Sequence, residues 1–229
     1  MTGTPPDETP ADPSARRARI GAACRDAGRI LHEVRAAFDR RDTWEEERFQ
    51  VKLLGLLRHA KSDWDDLSTR DFDRRLNARG KRGAALMGDH IRDHGIKWDR
   101  LIASPAQRVK STLESALPGM TPQFDQRLYL ASSQTLMEIA SEQSGEGGDD
   151  PHAVLIAGHN PGLQELVLDL VSPSRENDLF GEAIVKFPTA TFALLECDVD
   201  DWSKVRNHCA ALVHFARPRD LDPELGPQR

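Results

Sequence analysis

Short apolar runs recur along most of the chain and are separated by stretches of polar residues. A run of four to eight apolar residues between turn-forming residues is typical of a buried β-strand. The runs that meet this description are Lys52–Leu57, Arg100–Ala103, Ala153–Ala157, Thr191–Cys197 and Ala211–Phe215. We therefore predict a sheet built from these strands.

The segments between the strands have the apolar spacing of helices. Asn77 can cap a helix that runs to about His94, and Gly95 can end it. Further helices are predicted over Gln107–Leu117 and Leu163–Val171. Because strands alternate with helices, the pattern predicts an α/β fold with a mainly parallel central sheet and helices on both faces.

The first 48 residues show a different pattern, which divides the chain. Residues 1–14 are rich in Pro and Thr, and we expect a disordered tail. For residues 15–48 we predict an amphipathic helix and a linker, because apolar residues recur every three or four positions. This stripe consists of Ile20, Cys24, Ala27, Leu31, Val34 and Phe38. The helix could dock on the main domain at 49–229, form a homodimer through its heptad-like spacing, or fray in solution.

Composition excludes several broad classes of protein. A net charge of -6 argues against nucleic-acid and membrane-surface binders, which favour basic chains. Three cysteines without a C-x-x-C spacing suit a reducing compartment. The chain has no unbroken apolar run of about 20 residues, and its first residues lack a signal-peptide core. We expect a cytoplasmic protein that binds neither nucleic acid nor membrane.

Polar side chains with catalytic potential follow three of the predicted strands. Arg58 and His59 follow the first strand, Arg108 follows the second, and His159 and Asn160 follow the third. Ligands of open α/β sheets bind outside the carboxyl ends of the strands, so we expect these side chains to share one pocket.

Two arginines and two histidines in one pocket suit phosphoryl transfer. Guanidinium groups bind phosphate oxygens in a planar fork and stabilise the charge that shifts in the transition state. An imidazole can attack phosphorus near neutral pH, and a second can donate to a phosphate oxygen. Since the cationic side chains supply the positive charge, we expect no metal and no cofactor.

Four ordered motifs resemble those of the histidine phosphatase superfamily, also called phosphoglycerate mutase-like, and most closely its SixA-like branch. They are Arg-His-Ala with Lys61-Ser62, LNARG at Leu76–Gly80, ASPAQR at Ala103–Arg108 and GHNPG at Gly158–Gly162. The resemblance spans about Lys52 to Phe215. It implies that His59 is a nucleophile that forms a phosphohistidine intermediate. It also implies that Arg58, Arg108 and His159 line the phosphate pocket.

The chain departs from the family pattern at specific positions. Ala60 stands where the commoner motif has Gly, as is usual in SixA-like chains, and Arg75 stands where the family often has Pro. The general-acid Glu of the mutase branch is not evident. The absence of a strong acid would suit a labile P–N bond better than an alkyl phosphate, whose alkoxide needs a proton.

Other polar residues near the motifs are weaker candidates. Lys61 and Ser62 follow the nucleophile and could contact substrate, although a solvated loop is the simpler interpretation. Arg74 could also contact substrate. So could Asn77, which is more simply a helix cap. Candidate proton donors are Asp63 and Asp66. The other histidines are interpreted as structural or surface residues: His32, His90, His94, His152, His208 and His214.

Taken together, the sequence predicts a metal-independent phosphatase that acts through a phosphohistidine intermediate. The resemblance suggests that its partner is a phosphorylated protein, with phosphohistidine as the substrate. Two alternatives stay open. One is a phosphatase for a small phosphorylated substrate, an ester or an anhydride. The other is a phosphate-binding module without turnover.

Overall fold

The structure is a computed structural model that describes residues 51–145 and 150–226. The predicted tail at 1–14 and the amphipathic helix at 15–48, with its possible homodimer, lie outside the described residues. The described residues lie within the predicted phosphatase domain at 49–229.

One six-stranded sheet forms the centre of this domain, with the order β3-β2-β4-β1-β5-β6. The strands are β1 (Lys52–Arg58), β2 (Arg100–Ala103), β3 (Gln123–Phe124), β4 (Ala153–Gly158), β5 (Phe192–Cys197) and β6 (Ala210–Ala216). β1, β2, β3 and β4 are parallel, and β5 runs antiparallel to both of its neighbours. Residues 198–209 join β5 to β6 through one 3-10 turn and contain no crossover helix, as is common between antiparallel neighbours.

Helices cover both faces of the sheet, which confirms the predicted fold class. They are α1 (Ala78–Asp93), α2 (Gln107–Ala116), α3 (Ser133–Ser141), α4 (Gly162–Leu170), α5 (Asp178–Val185) and the short α6 (Pro218–Leu221). Among the described residues, no helix is long and apolar enough to cross a membrane.

The core divides into two layers because side chains of a strand alternate between the faces of a sheet. Leu54 and Leu56 of β1 face α3, α4 and α5, together with the buried Trp202. Leu57 faces the other layer, where it joins Met87 of α1 and Leu113 of α2. Both layers consist of apolar side chains, so the central strand β1 is held from both sides.

The predicted start and end of α1 are confirmed. The side chain of Asn77 accepts a hydrogen bond from the amide of Gly80 at 2.8 Å, as an N-cap does. After the helix, Gly95 has a φ of 75°, a conformation that favours glycine. Gly80 is also required by close packing, because a Cβ there would lie 2.1 Å from the carbonyl oxygen of Lys61. α1 thus lies directly against the loop that follows β1.

Four of these strands and helices were absent from the sequence-based prediction. They are β3 and the helices α3, α5 and α6. β3 has only two residues and pairs with Ile102 and Ala103, so tertiary contact rather than local pattern creates it. α3 and α5 begin at capping side chains, Ser132 and Asn177.

Candidate active site

The end of β1 delivers Arg58 and His59 to the middle of one edge of the sheet. Parallel pairing places Arg58 opposite Gly158 of β4. The amide of His59 donates to the carbonyl of Gly158 at 3.1 Å, and the amide of Ala190 donates to the carbonyl of His59 at 3.0 Å. The backbone of His59 is therefore fixed between β4 and the segment that leads into β5.

One nitrogen of the His59 ring is occupied and the other is available. Nδ1 lies 2.8 Å from the carbonyl oxygen of Ala60, to which it can only donate, since a carbonyl accepts. In the neutral ring, the lone pair is then on Nε2, which has no hydrogen-bond partner among the described residues. Burial lowers the pKa of His59 to about 3; the bond to Ala60 opposes this shift and the charges of Arg108 and Arg58 add to it. His59 is thus neutral at pH 7.

His159 lies beside His59, with ring centroids 5.1 Å apart. Its Nδ1 is 3.2 Å from a terminal nitrogen of Arg108, and its Nε2 is 2.8 Å from the hydroxyl of Ser104. Because a guanidinium only donates, Nδ1 accepts and Nε2 carries the proton. Burial, and then the neighbouring charges of His59 and Arg108, lower the pKa of His159 to about 3.

The two arginines bring positive charge to the histidine pair. Arg58 donates to the carbonyl of Phe187 at 2.6 Å, while its Nε is buried without a partner among the described residues. Burial and the charge of Arg108 lower the pKa of Arg58. Arg108 is 4% exposed and lies in the first turn of α2, shortly after β2. A buried, unpartnered donor beside a second guanidinium is an unfavourable arrangement that a bound anion would relieve.

Asp71 is a site residue that the sequence analysis missed. Its carboxylate lies 2.9 Å from Arg108 and accepts a hydrogen bond from the hydroxyl of Tyr129 at 2.7 Å. Burial alone would raise the pKa of Asp71, but the bond from Tyr129 and the charge of Arg108 outweigh it and lower the pKa. The carboxylate is therefore ionised at neutral pH and shares Arg108 with His159.

The structure does not bring the other predicted substrate contacts into this group of side chains. Lys61 is exposed and, with Ala60, lines a neighbouring cleft. Ser62 is buried and its backbone forms a β-bridge with Leu76. Their contact with substrate stays a prediction.

Arg74 and Asn77 have structural contacts that account for them. Arg74 is buried and donates to the carbonyls of Asp63 and Asp66 at 3.3 and 3.2 Å. Its guanidinium also lies 4.1 Å from the centre of the Trp64 ring. Arg74 thus fixes the conformation of the loop after His59, while Asn77 caps α1.

The two aspartates proposed as proton donors have other hydrogen bonds. Asp63 accepts from the amide of Asp65 at 2.9 Å. The hydroxyls of Ser68 and then Thr69 bind the carboxylate of Asp66 and lower its pKa to about 2. A group with so low a pKa is ionised at pH 7 and is poorly suited to donate a proton.

The described residues contain no group of three or more His, Cys, Asp or Glu side chains that could hold a metal ion. The positive charge of the site comes instead from Arg58 and Arg108. What these side chains can do is bind a tetrahedral anion between two guanidiniums and present it to Nε2 of His59.

Comparison with known proteins agrees with this geometry. The profile of the histidine phosphatase superfamily (branch 1) matches residues 54–159, which include all four side chains of the pocket. An uncharacterized protein of Mycobacterium tuberculosis is 35% identical over 164 residues, which cover 71% of this chain and 100% of the relative.

Solved structures with the same fold carry the SixA name. A protein from Agrobacterium tumefaciens, provisionally assigned as phosphohistidine phosphatase SixA, is 27% identical with a TM-score of 0.58; the match covers 73% of this chain and 98% of that one. A protein from Nakamurella multipartita with the same provisional assignment is 24% identical with a TM-score of 0.64, and the match covers 73% and 96% of the two chains.

Proposed function

Since the chain belongs to the histidine phosphatase superfamily, in its SixA-like branch, and is a phosphatase of that family, we propose that it hydrolyses phosphohistidine in a protein through a phosphoenzyme on His59. The observation that carries this proposal is the state of the His59 ring. Its Nδ1 is bound to the carbonyl of Ala60, so a neutral Nε2 faces the site where Arg58 and Arg108 can hold a phosphoryl group.

The reaction takes two transfers. Nε2 of His59 attacks phosphorus, and the P–N bond of the substrate breaks. The departing imidazole leaves with the electron pair of that bond. It either keeps the proton that its ring already carries or takes one up from water. A water molecule then attacks phosphorus in the phosphoenzyme, the bond to Nε2 breaks, and inorganic phosphate leaves. Arg58 and Arg108 stabilise the charge on the phosphoryl oxygens in both steps.

The acids near the pocket favour an activated phosphate as the substrate. Asp71 is the carboxylate that contacts Arg108, and its lowered pKa keeps it ionised. An alkyl phosphate needs a proton donor within about 3 Å of the departing oxygen, whereas a protonated imidazole leaves readily. The pocket therefore suits a P–N bond better than an alkyl ester.

A substrate panel tests the proposal. We expect kcat/KM, divided by the uncatalysed rate, to be highest on a phosphohistidine protein, lower on an aryl phosphate and lowest on glucose 6-phosphate or 3-phosphoglycerate. The rate of the His59→Ala variant on each substrate provides the background rate for that substrate. The cationic pocket makes a divalent ion redundant, so we expect the rates to persist in excess EDTA.

Two results would contradict the proposal in different ways. If a sugar phosphate remained the best substrate after correction, the enzyme would be a small-molecule phosphatase. If a stable phosphoenzyme formed and released no phosphate, the chain would be a binding module.

A further inference from the structure

A second concave site lies on the same edge of the sheet as His59, towards β5 and β6. β6 runs parallel to β1, so its end at Ala216 reaches the edge where Arg58 and His59 lie. Ala60 and Lys61, directly after the nucleophile, line this cleft. Ala190, whose amide bonds to the carbonyl of His59, lines it as well. The cleft has a volume of about 210 Å³ and is open to solvent.

Positive charge dominates this basic cleft, although the whole chain carries a net charge of -6. The charged residues that line it are Lys61, Arg79, Lys186, Arg217 and Arg219, and its lining includes no Asp or Glu. Such a concentration of one sign in an acidic protein attracts anions of opposite charge.

Most of this charge is not neutralised within the protein. Lys61 and Lys186 are exposed and have no carboxylate partner among the residues that the structure describes. Arg79 donates to the backbone carbonyls of Leu225, at 2.6 Å, and Gly226, which orient its guanidinium without cancelling its charge. The cations come from four segments of the chain, and all of them line the same cleft.

Two acidic residues that do not line the cleft, Asp220 and Glu182, bind arginines that do. Arg217 donates to Asp220 at 2.7 Å and also to Glu182. Arg219 lies 3.8 Å from Asp220. Hydrogen bonds already hold Arg217 and Arg79 in place. Less side-chain entropy is therefore lost when an anion binds to them.

We propose that the basic cleft is a second anion subsite, which receives carboxylate side chains that flank the phosphohistidine of the substrate protein. The proposal rests on the proposed function and deepens it, since it names an acidic polypeptide as the substrate class. The phosphoryl group would bind between Arg58 and Arg108, and the chain of the substrate would run from there towards β6. Charge complementarity of this kind changes substrate affinity more than the rate of chemistry.

Two phosphohistidine peptides of equal length test the subsite, one with Asp and Glu beside the phosphohistidine and one with Asn and Gln. We expect the wild-type enzyme to show a KM about 10-fold lower for the acidic peptide at low salt. We expect the preference to shrink when NaCl rises from about 50 mM to about 500 mM, because salt screens exposed charges.

A double variant, Lys186→Gln with Arg219→Gln, removes charge from the cleft. Its KM for the acidic peptide should rise about 5- to 10-fold, with KM for the neutral peptide and kcat for both within about twofold. The matched control, Lys97→Gln with Lys204→Gln, removes two exposed cations beyond the opposite edge of the sheet and should leave the preference intact. Equal KM values for the two peptides in the wild type, or an equal loss on both in the double variant, would overturn the subsite.

A pair of aryl phosphates separates failure of the subsite from failure of the proposed function. One carries a carboxylate on a side arm and the other a neutral amide. If neither peptide is hydrolysed, the proposed protein substrate is wrong, and the aryl pair decides about the cleft. A preference for the carboxylate that disappears in the double variant would support a subsite for a small anionic substrate. No preference would reject the subsite itself.

Discussion

The molecule contains two groups of partly or fully buried histidines whose pKa values move in the same direction. His59 and His159 form the pair at the carboxyl edge of the sheet. His90, His94 and His214 form a trio between the end of α1 and β6, where Nε2 of His90 lies 2.8 Å from Nε2 of His214. Burial is the first cause of the lowered pKa in all of them.

The groups differ in what surrounds them. The pair lies against Arg58 and Arg108, and Nε2 of His59 is unpartnered. In the trio, His214 stacks on His90, while the ring of Phe192 lies 5.9 Å from that of His214. A lowered histidine pKa therefore reports burial in both places. The two guanidiniums distinguish the proposed catalytic pair from the trio, which has no arginine of the described residues against its rings.

The largest difference in activity should be found between variants that replace one histidine of each group. His59→Ala should lower kcat by about 10⁴-fold or more, because the nucleophile is lost. His214→Leu should leave kcat/KM within about twofold, since the trio does not contact the phosphate pocket. Steady-state rates and acid-labile labelling of the phosphoenzyme would measure this. Normal turnover by His59→Ala would refute the mechanism.

Replacement of the arginines should have the next largest effect. Arg58→Lys and Arg108→Lys should each lower kcat/KM by about 10²- to 10³-fold, because lysine keeps the charge and lacks the fork. Arg127→Lys is the matched control, since Arg127 binds Asp125 and Glu142 on the surface. A loss in the control as large as that in Arg108→Lys would show that the fold, not the phosphate contact, is affected.

Changes in pH should affect stability and activity differently. The lowered pKa values of His59 and His214, about 3 against 6.5 for the free side chain, mean that the unfolded chain binds more protons between these limits. The melting temperature should therefore fall as pH drops below 6.5 towards 4. His59 stays neutral in this range, so kcat/KM should persist from pH 7 to pH 5 while the protein remains folded.

The trio can be isolated in the same experiment. His214→Leu removes one of the groups that must be protonated, so its melting temperature should depend less on pH than that of the wild type. Differential scanning calorimetry at several pH values measures both slopes. An unchanged slope would mean that the trio does not titrate on unfolding.

The smallest expected effect is that of Asp71→Asn. Removal of the carboxylate takes away the negative charge that competes with phosphate for Arg108, so the inhibition constant of inorganic phosphate should fall by about three- to fivefold. The kcat on phosphohistidine should stay within about threefold of the wild type. A loss of about 10²-fold in kcat would instead make Asp71 a proton donor in the reaction.

Much of the fold could be predicted because local signals agree with tertiary packing. The apolar runs of β1, β2 and β4 are buried on both faces, and the cap at Asn77 begins α1 where expected. α3 and α5 were missed although Ser132 and Asn177 are visible capping residues. β3 could not be predicted from local sequence, because its two residues are defined by their pairing with β2.

The site was predictable only where a strand delivers its residues. Arg58, His59 and His159 follow strands directly, and the order of parallel strands brings them together. Asp71 and Tyr129 are 58 positions apart in loops without periodic pattern, so nothing local indicates their hydrogen bond. Their proximity to Arg108 is a product of the tertiary structure.

The central position of β1 also determines how fast its backbone amides exchange their hydrogens with solvent. β4 and β5 pair with β1 along its whole length, so its amides should exchange with deuterium only when the domain unfolds globally. The exposed loop from Trp64 to Ser68 lacks such pairing and should exchange in local openings. His59 lies directly after this slowly exchanging strand, so we expect its backbone to stay in place while the loop at 64–68 opens.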